Sequence, residues 1–292
     1  MTHIAASMVS FPAGSHGDPL VLLVAFVAGA CIGSFLNVCI SRIPAEESVV
    51  RPGSRCPRCA TPIAWYDNIP LLSWALLGAR CRTCRGPIPI RYPFVEAATG
   101  ALAVFALLRF GASPFALVAF AFTAALLLIT FVDLDHRFIP DEISLPGIVI
   151  GLGLSFLPGG LDPIDSLIGV LVGGGLLWAV AWTYERLTGV EGMGLGDVKL
   201  LAMIGAFLGW QAVPLVLVIS SVTGSLAGLG VMIAQGASGR GRRVVHRLGV
   251  RALPRYAQRA ARRTEIPFGP FLALGAVFAL YFPDLTLFPS IF

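Results

Sequence analysis

Gly192-Met193-Gly194-Leu195-Gly196-Asp197-Val198-Lys199 sets one carboxylate in a glycine-rich turn at the mouth of an apolar segment. Charge and glycine are both costly in membrane-embedded structure, so finding them together points to a function. The glycines permit a sharp turn and the close approach of another chain. Taken alone, the turn reads equally well as a polar connection between two spans. A second acidic cluster, Asp133-Leu134-Asp135-His136-Arg137-Phe138-Ile139-Pro140-Asp141, tips the balance once both are placed along the chain.

The chain is 56% hydrophobic and 13% charged over 292 residues, with mean hydropathy +0.82. Such values exclude an ordinary soluble domain and indicate a polytopic helical membrane protein. Eight apolar segments are expected, at about 20–40, 94–110, 114–132, 143–157, 164–184, 198–210, 212–234 and 266–282. No basic residue precedes Arg42, so a secretory signal lacks its positive start and the first segment is expected to stay as an anchor. Cys31 and Cys39 are expected to pack within that segment.

Charge gives the orientation. Twenty of the 21 basic residues fall in residues 42–92, in 236–265, or at Arg137, Arg186 and Lys199; only Arg109 is left out. With the N-terminus outside, all twenty lie on the cytoplasmic side of an eight-span protein, as the positive-inside rule requires. The 14 residues from Asp197 to Trp210 cover roughly 21 Å, short of the ~30 Å hydrocarbon core. Asp197 is therefore expected below the cytoplasmic surface, and Asp133 ends the third segment on the same side. Two carboxylates in a low-dielectric cavity share a proton, leaving one as acid and one as base. Such a pair can activate water and protonate a leaving amine. The residues alone leave Asp133, Asp135 and Asp141 open as the partner of Asp197.

Cys56-Pro57-Arg58-Cys59 and Cys81-Arg82-Thr83-Cys84 are two CxxC turns separated by 21 residues. Four thiolates so spaced suit a structural zinc ion, and a reducing cytoplasmic side argues against disulfides. A segment this small needs the metal to fold. Arg42 closes the first segment, where a snorkelling anchor is the simplest reading. Glu96, two residues into the second segment, needs a partner or a substrate amine.

The chain resembles the type IV prepilin peptidases, a family of GxGD aspartic proteases that cleave a leader and N-methylate the product. The resemblance rests on Gly33-Ser-Phe-Leu-Asn37-Val-Cys-Ile-Ser-Arg42-Ile-Pro44, the paired CxxC turns, Trp65-Tyr-Asp-Asn68-Ile-Pro70 and Arg91-Tyr-Pro-Phe-Val-Glu96. It continues through Asp133-(x)6-Pro140-Asp141, Gly194-x-Gly196-Asp197-Val-Lys199 and Ile266-Pro-Phe-Gly269-Pro270. It implies an all-α membrane protein of about eight spans with a small cytoplasmic zinc-binding loop domain. By domain, it implies an extracytoplasmic N-terminus (1–18), a first transmembrane helix (19–43), the tetracysteine domain (44–92) and a seven-helix peptidase domain (93–292). The catalytic pair would be Asp133 and Asp197, supported by Gly194, Gly196 and Lys199. S-adenosylmethionine would be the methyl donor, with Glu96, Arg91, Tyr92, Asn37 and Arg42 as methyltransferase or substrate candidates. Arg85 follows the fourth cysteine where many members have glycine.

Arginines at 243, 247, 251, 255, 259 and 263 recur every four residues. This basic loop reads as a surface helix on anionic membrane lipids rather than a nucleic-acid site. The expected partners are thus prepilin precursors and lipids, with no nucleic acid; no oligomeric state is implied. A peptidase-only member and a proton-coupled transporter are the competing functions, although no internal repeat supports transport.

Overall fold

The computed structural model describes residues 17–189, 194–237 and 267–283. Gly192, most of the N-terminal stretch and the arginines between 238 and 265 lie outside the described residues. Those described form helices, with no β-structure beyond isolated bridges at Arg55–Pro62 and Arg80–Pro87. They are α1 (Pro19–Arg42), α2 (Leu72–Leu76), α3 (Arg91–Phe110), α4 (Pro114–His136) and α5 (Asp141–Leu154). The remainder are α6 (Pro163–Thr188), α7 (Leu195–Leu208), α8 (Val213–Ala237) and α9 (Gly269–Tyr281).

Each of the eight expected apolar segments is a helix. Five helical stretches, Pro19–Ala45, Arg91–Phe110, Pro114–His136, Pro163–Thr188 and Val213–Val231, are long and apolar enough to cross a membrane. The other three, α5, α7 and α9, have 14, 14 and 13 residues. At ~1.5 Å per residue they reach about 20 Å, less than a full crossing.

Three helices begin with the same chemistry. Asp18-Pro19, Ser113-Pro114 and Asp162-Pro163 each place an oxygen-bearing cap before a proline at the first helical position. The caps accept from the N–H groups of Leu20, Ala116 and Ile164. Proline costs nothing there, because its missing N–H would have no helical partner.

The chain divides into two compact units, Met1–Ser144 and Leu145–Phe292. The division falls inside α5, next to Pro146. Proline cannot donate to the carbonyl four residues back, which weakens the helix at that point.

In the first unit α1 lies antiparallel against α3, and α4 completes the bundle. A methyl at Gly29 would stand 2.7 Å from Ala103 Cβ, and one at Gly33 would stand 2.8 Å from Glu96 Cα. Only glycine permits this approach, the small-xxx-small pattern of membrane helix pairs. Leu36, Cys39 and Ile40 of α1, Val95 of α3, and Ala124, Leu128 and Val132 of α4 form the core. Cys39 packs there as expected. Cys31, expected beside it, faces outward instead, because it lies off the stripe that Gly29, Gly33 and Leu36 turn toward the neighbouring helices.

In the second unit α7 is the centre, packed against α6, α8 and α9. Leu200, Leu201, Met203, Ile204, Ala206 and Leu208 are all buried, so the helix is apolar on every side. Gly169 and Gly173 of α6 meet the backbone of α7 at Gly205 and Leu201, leaving no room for a methyl. Ser166 Oγ donates to Ala206 O (2.7 Å), and Trp210 Nε1 donates to Asp165 Oδ1 (3.0 Å).

Candidate functional site

The two CxxC turns are copies of one structure. In the first, the Ala60 N–H donates to Cys56 O (2.9 Å) and the Cys56 N–H to Thr61 O (3.0 Å). In the second, the Arg85 N–H donates to Cys81 O (3.0 Å) and the Cys81 N–H to Gly86 O (2.8 Å). The residue after each second cysteine is left-handed, with φ +56° at Ala60 and +58° at Arg85. Arg85 thus occupies a backbone position that suits glycine, and its departure from the family pattern concerns the shape of the turn.

The turns bring Cys56, Cys59, Cys81 and Cys84 together, with all four Sγ atoms within 4.8 Å of one another. Cys56 Sγ and Cys84 Sγ are 3.9 Å apart. A tetrahedral zinc with ~2.3 Å bonds needs sulfurs separated by about 3.8 Å. The set fits, and all six cysteines of the chain are free thiols. The Thr61 hydroxyl lies 3.3 Å from Cys59 Sγ, and its hydrogen bond is the chief cause that holds this thiol down to about 6. A thiolate ligand is therefore available at neutral pH. The second turn is braced by Arg82, whose Nε and Nη2 donate to the Asp67 carboxylate at 2.7 and 2.6 Å. That pairing holds Asp67 below the ordinary carboxylate range.

Polar bonds fasten the loop to the helices. Arg42 donates to Ser48 O (2.9 Å) and Gly53 O (3.3 Å), so it grips the start of the loop. Asn37 Nδ2 donates to Tyr92 O (3.1 Å), joining α1 to the first turn of α3. Glu96 is buried and accepts the Leu71 N–H on Oε2 (2.8 Å). Leu71 itself has a positive φ, +63°. Arg91 forms an ion pair with Asp135 and lies over the Phe131 ring, 4.9 Å from its centroid. One guanidinium nitrogen of Arg91, Nη2, is buried without a hydrogen-bond partner.

The acids differ in setting. Asp133 is 5% exposed, one turn before the left-handed Arg137 that closes α4. Asp135 is engaged by Arg91, and Asp141 stands in the first turn of α5. Asp197 is half-buried in the first turn of α7, whose cap is Gly194 in extended conformation. The N–H groups at the start of a helix carry partial positive charge, which suits a carboxylate there. Gly196 and Lys199 occupy the same turn and the start of the next. Asp133 belongs to the first unit and Asp197 to the second.

Comparison with known proteins divides the chain earlier, between residues 110 and 120, and so places Asp133 and Asp197 in one match. Residues 27–110 match the bacterial peptidase A24 N-terminal domain, and residues 120–229 match the type IV leader peptidase family. A protein of Aeromonas hydrophila named prepilin leader peptidase/N-methyltransferase is 37% identical over 295 residues, covering 92% of this chain and 94% of that one. The chain belongs to the type IV leader peptidase family. A Myxococcus xanthus protein of the same name is 44% identical over 226 residues, 76% of this chain and 66% of that one. A Burkholderia pseudomallei relative, also so named, is 36% identical over 302 residues, covering 95% and 89%. No solved structure matches the chain. The N-terminal match holds the tetracysteine loop, Asn37, Arg42, Arg91, Tyr92 and Glu96; the peptidase match holds Asp133, Asp135, Asp141, Asp197 and Lys199.

Residue types do not signal the partners of Asp67 or Glu96. Asp67 lies in the Trp65–Pro70 stretch, but nothing there marks Arg82 as its partner. The Leu71 N–H that meets Glu96 is a backbone group and carries no residue-type signal.

Proposed function

We propose that this chain is a membrane aspartic endopeptidase that removes the leader of type IV prepilins or pseudopilins and methylates the new N-terminus. The observation that carries this reading is the family match over residues 120–229, which contains Asp133 and Asp197. These two are the acid–base pair: one carboxylate takes a proton from the attacking water, and the other gives one to the departing amine. Asp135 is the less suitable partner, since Arg91 already holds it. None of the relatives named above is a transporter, and the proton-coupled alternative gains nothing from them.

Zinc held by Cys56, Cys59, Cys81 and Cys84 is structural, shaping the loop rather than reacting. S-adenosylmethionine supplies the methyl group when bound. The orphaned Arg91 Nη2 suits an anionic group of cofactor or substrate, while Asn37, Tyr92, Arg42 and Glu96 hold α1, the loop and the start of α3 together. Before methylation the new N-terminal ammonium must lose a proton, a step that Glu96 can assist by orienting the amine or accepting its proton. The protein lies in the bacterial inner membrane with its N-terminus outside and its acids toward the cytoplasm, an orientation supported by the arginine distribution.

The test is to incubate purified protein with a prepilin and S-adenosylmethionine and to weigh the products. Loss of the leader together with gain of one methyl group supports the whole reading. Cleavage without methylation leaves a peptidase-only member, and intact prepilin overturns the reading.

A further inference from the structure

The tetracysteine loop carries apolar side chains on its outside, where a water-facing zinc module would carry polar ones. Trp65 is 82% exposed, Leu76 77% and Ile90 74%, and Leu72 and Ile69 are also exposed. They form one neighbourhood. Ser73 Oγ donates to Tyr66 O (3.0 Å) and accepts the Ile69 N–H (3.0 Å), so α2 is stitched to the 3-10 turn Trp65–Asp67. Ser73 is buried against that turn, which leaves Leu72 and Leu76, one helical turn apart, as an outward stripe. Trp74 Nε1 donates to Ile88 O (3.2 Å), tying the other side of α2 to the strand of chain that enters α3.

Depth follows from the Glu96 bond. Leu71, the residue before α2, is fixed to a side chain five residues inside the span that begins at Arg91. Five residues of helix are roughly 7–8 Å. Interfacial elements sit about 5–10 Å into the boundary between headgroups and acyl chains. The outward face of α2 is therefore level with the first turns of α3, whose Phe94 is exposed on the same span. The rest of the loop bears arginines at 51, 55, 58, 80, 82 and 85, all exposed, against Glu46, Glu47 and the paired Asp67.

We propose that the tetracysteine loop is a membrane-seated module: Leu72, Leu76, Ile69 and Trp65 enter the interface of the leaflet where α3 begins, and the arginines meet its anionic headgroups. The occupant of the apolar face is lipid, because the face is continuous with the surface of a spanning helix and bonded to it five residues into the span. Tryptophan at such a boundary and cations beside it are what an anionic bilayer selects. The cysteine cluster is thereby held against the membrane independently of any bound substrate.

The test uses full-length protein in phosphatidylcholine–phosphatidylglycerol vesicles, with and without lipids brominated near the headgroup end of the acyl chain. The difference in emission between the wild type and Trp65→Phe isolates Trp65. The expected result is at least about twofold quenching of that difference by brominated lipid and little by aqueous iodide. As an independent measurement, Leu72→Asn with Leu76→Asn is expected to speed tryptic cleavage of residues 44–92 in vesicles by about tenfold or more. Quenching of Trp65 by iodide alone, with unchanged cleavage in the double variant, overturns the proposal. Protection of Trp65 that appears only when prepilin is added overturns it too, and assigns the face to the substrate.

Discussion

The helix pairs α1/α3 and α6/α7 solve one problem with the same device and then diverge. Both are antiparallel, and both use glycines four residues apart to bring backbones together, Gly29 and Gly33 in one and Gly169 and Gly173 in the other. Where the solvent is lipid, apolar side chains gain little by meeting each other, so close backbone contact must supply the attraction. The difference lies in what the pairs bury. The α6/α7 contact is apolar apart from the buried Ser166, whose hydroxyl donates to Ala206 O. The α1/α3 contact encloses Asn37, Glu96 and Thr99 and is fastened by polar bonds to the cysteine loop. The first pair is thus a platform for the cysteine loop, and the second is a rigid mount for Asp197 at the head of α7.

The comparison is broken most severely at the acids. Asp133→Asn or Asp197→Asn is expected to lower leader cleavage by about 10³-fold or more while the protein still inserts, read by product mass. Asp135→Asn, which leaves Arg91 without its partner, is expected to do much less; an equal loss there would move the catalytic role. Next comes the packing. Leucine at Gly169 or Gly205 forces backbone apart and is expected to destabilise the protein by about 3 kcal/mol or more, seen as lost thermal stability in detergent. Leucine at Gly29 or Gly33 is expected to cost as much and also to loosen the cysteine loop. If proteolysis of that loop stays unchanged, the platform role of α1/α3 is wrong.

Metal removal separates loop from bundle. About one zinc per chain is expected by elemental analysis, and Cys81→Ser is expected to release it. The loop should then be cut faster by trypsin, with little change in the melting of the helices. Glu96→Gln keeps an oxygen for the Leu71 N–H but cannot take up a proton. It is expected to reduce methylation about tenfold while cleavage stays within about twofold, read by mass spectrometry of processed pilin. The smallest effect is at the left-handed position: Arg85→Gly is expected to stabilise the second cysteine turn by about 1 kcal/mol, measured as slower zinc loss to a chelator. Methylation should be unaffected, since the substitution relaxes the turn and leaves five other loop arginines in place.

Much of this molecule was legible in the chain itself. The apolar segments marked eight of the helices among the described residues, because helices in a membrane must satisfy their own backbone and so leave a local signal. The two CxxC turns announced the thiol cluster, since short-range spacing fixes the geometry of each half. The acidic residues stood out because charge in an apolar chain is rare.

Other features were decided only when the chain folded. Glu96 meets Leu71 across 25 residues, Arg91 meets Asp135 across 44, and Ser166 meets Ala206 across 40. Such bonds have no period in sequence, and one partner is often a backbone group that every residue carries. Arg42 read as a snorkelling anchor, but in the fold its guanidinium holds carbonyls of the loop. By contrast, the left-handed backbone at Arg85 is local to its turn, closed by bonds between Cys81 and residues 85 and 86. Sequence determined which groups the protein possesses and which segments are helical; tertiary structure decided which groups meet, because meeting depends on distances through space that the order of residues does not encode.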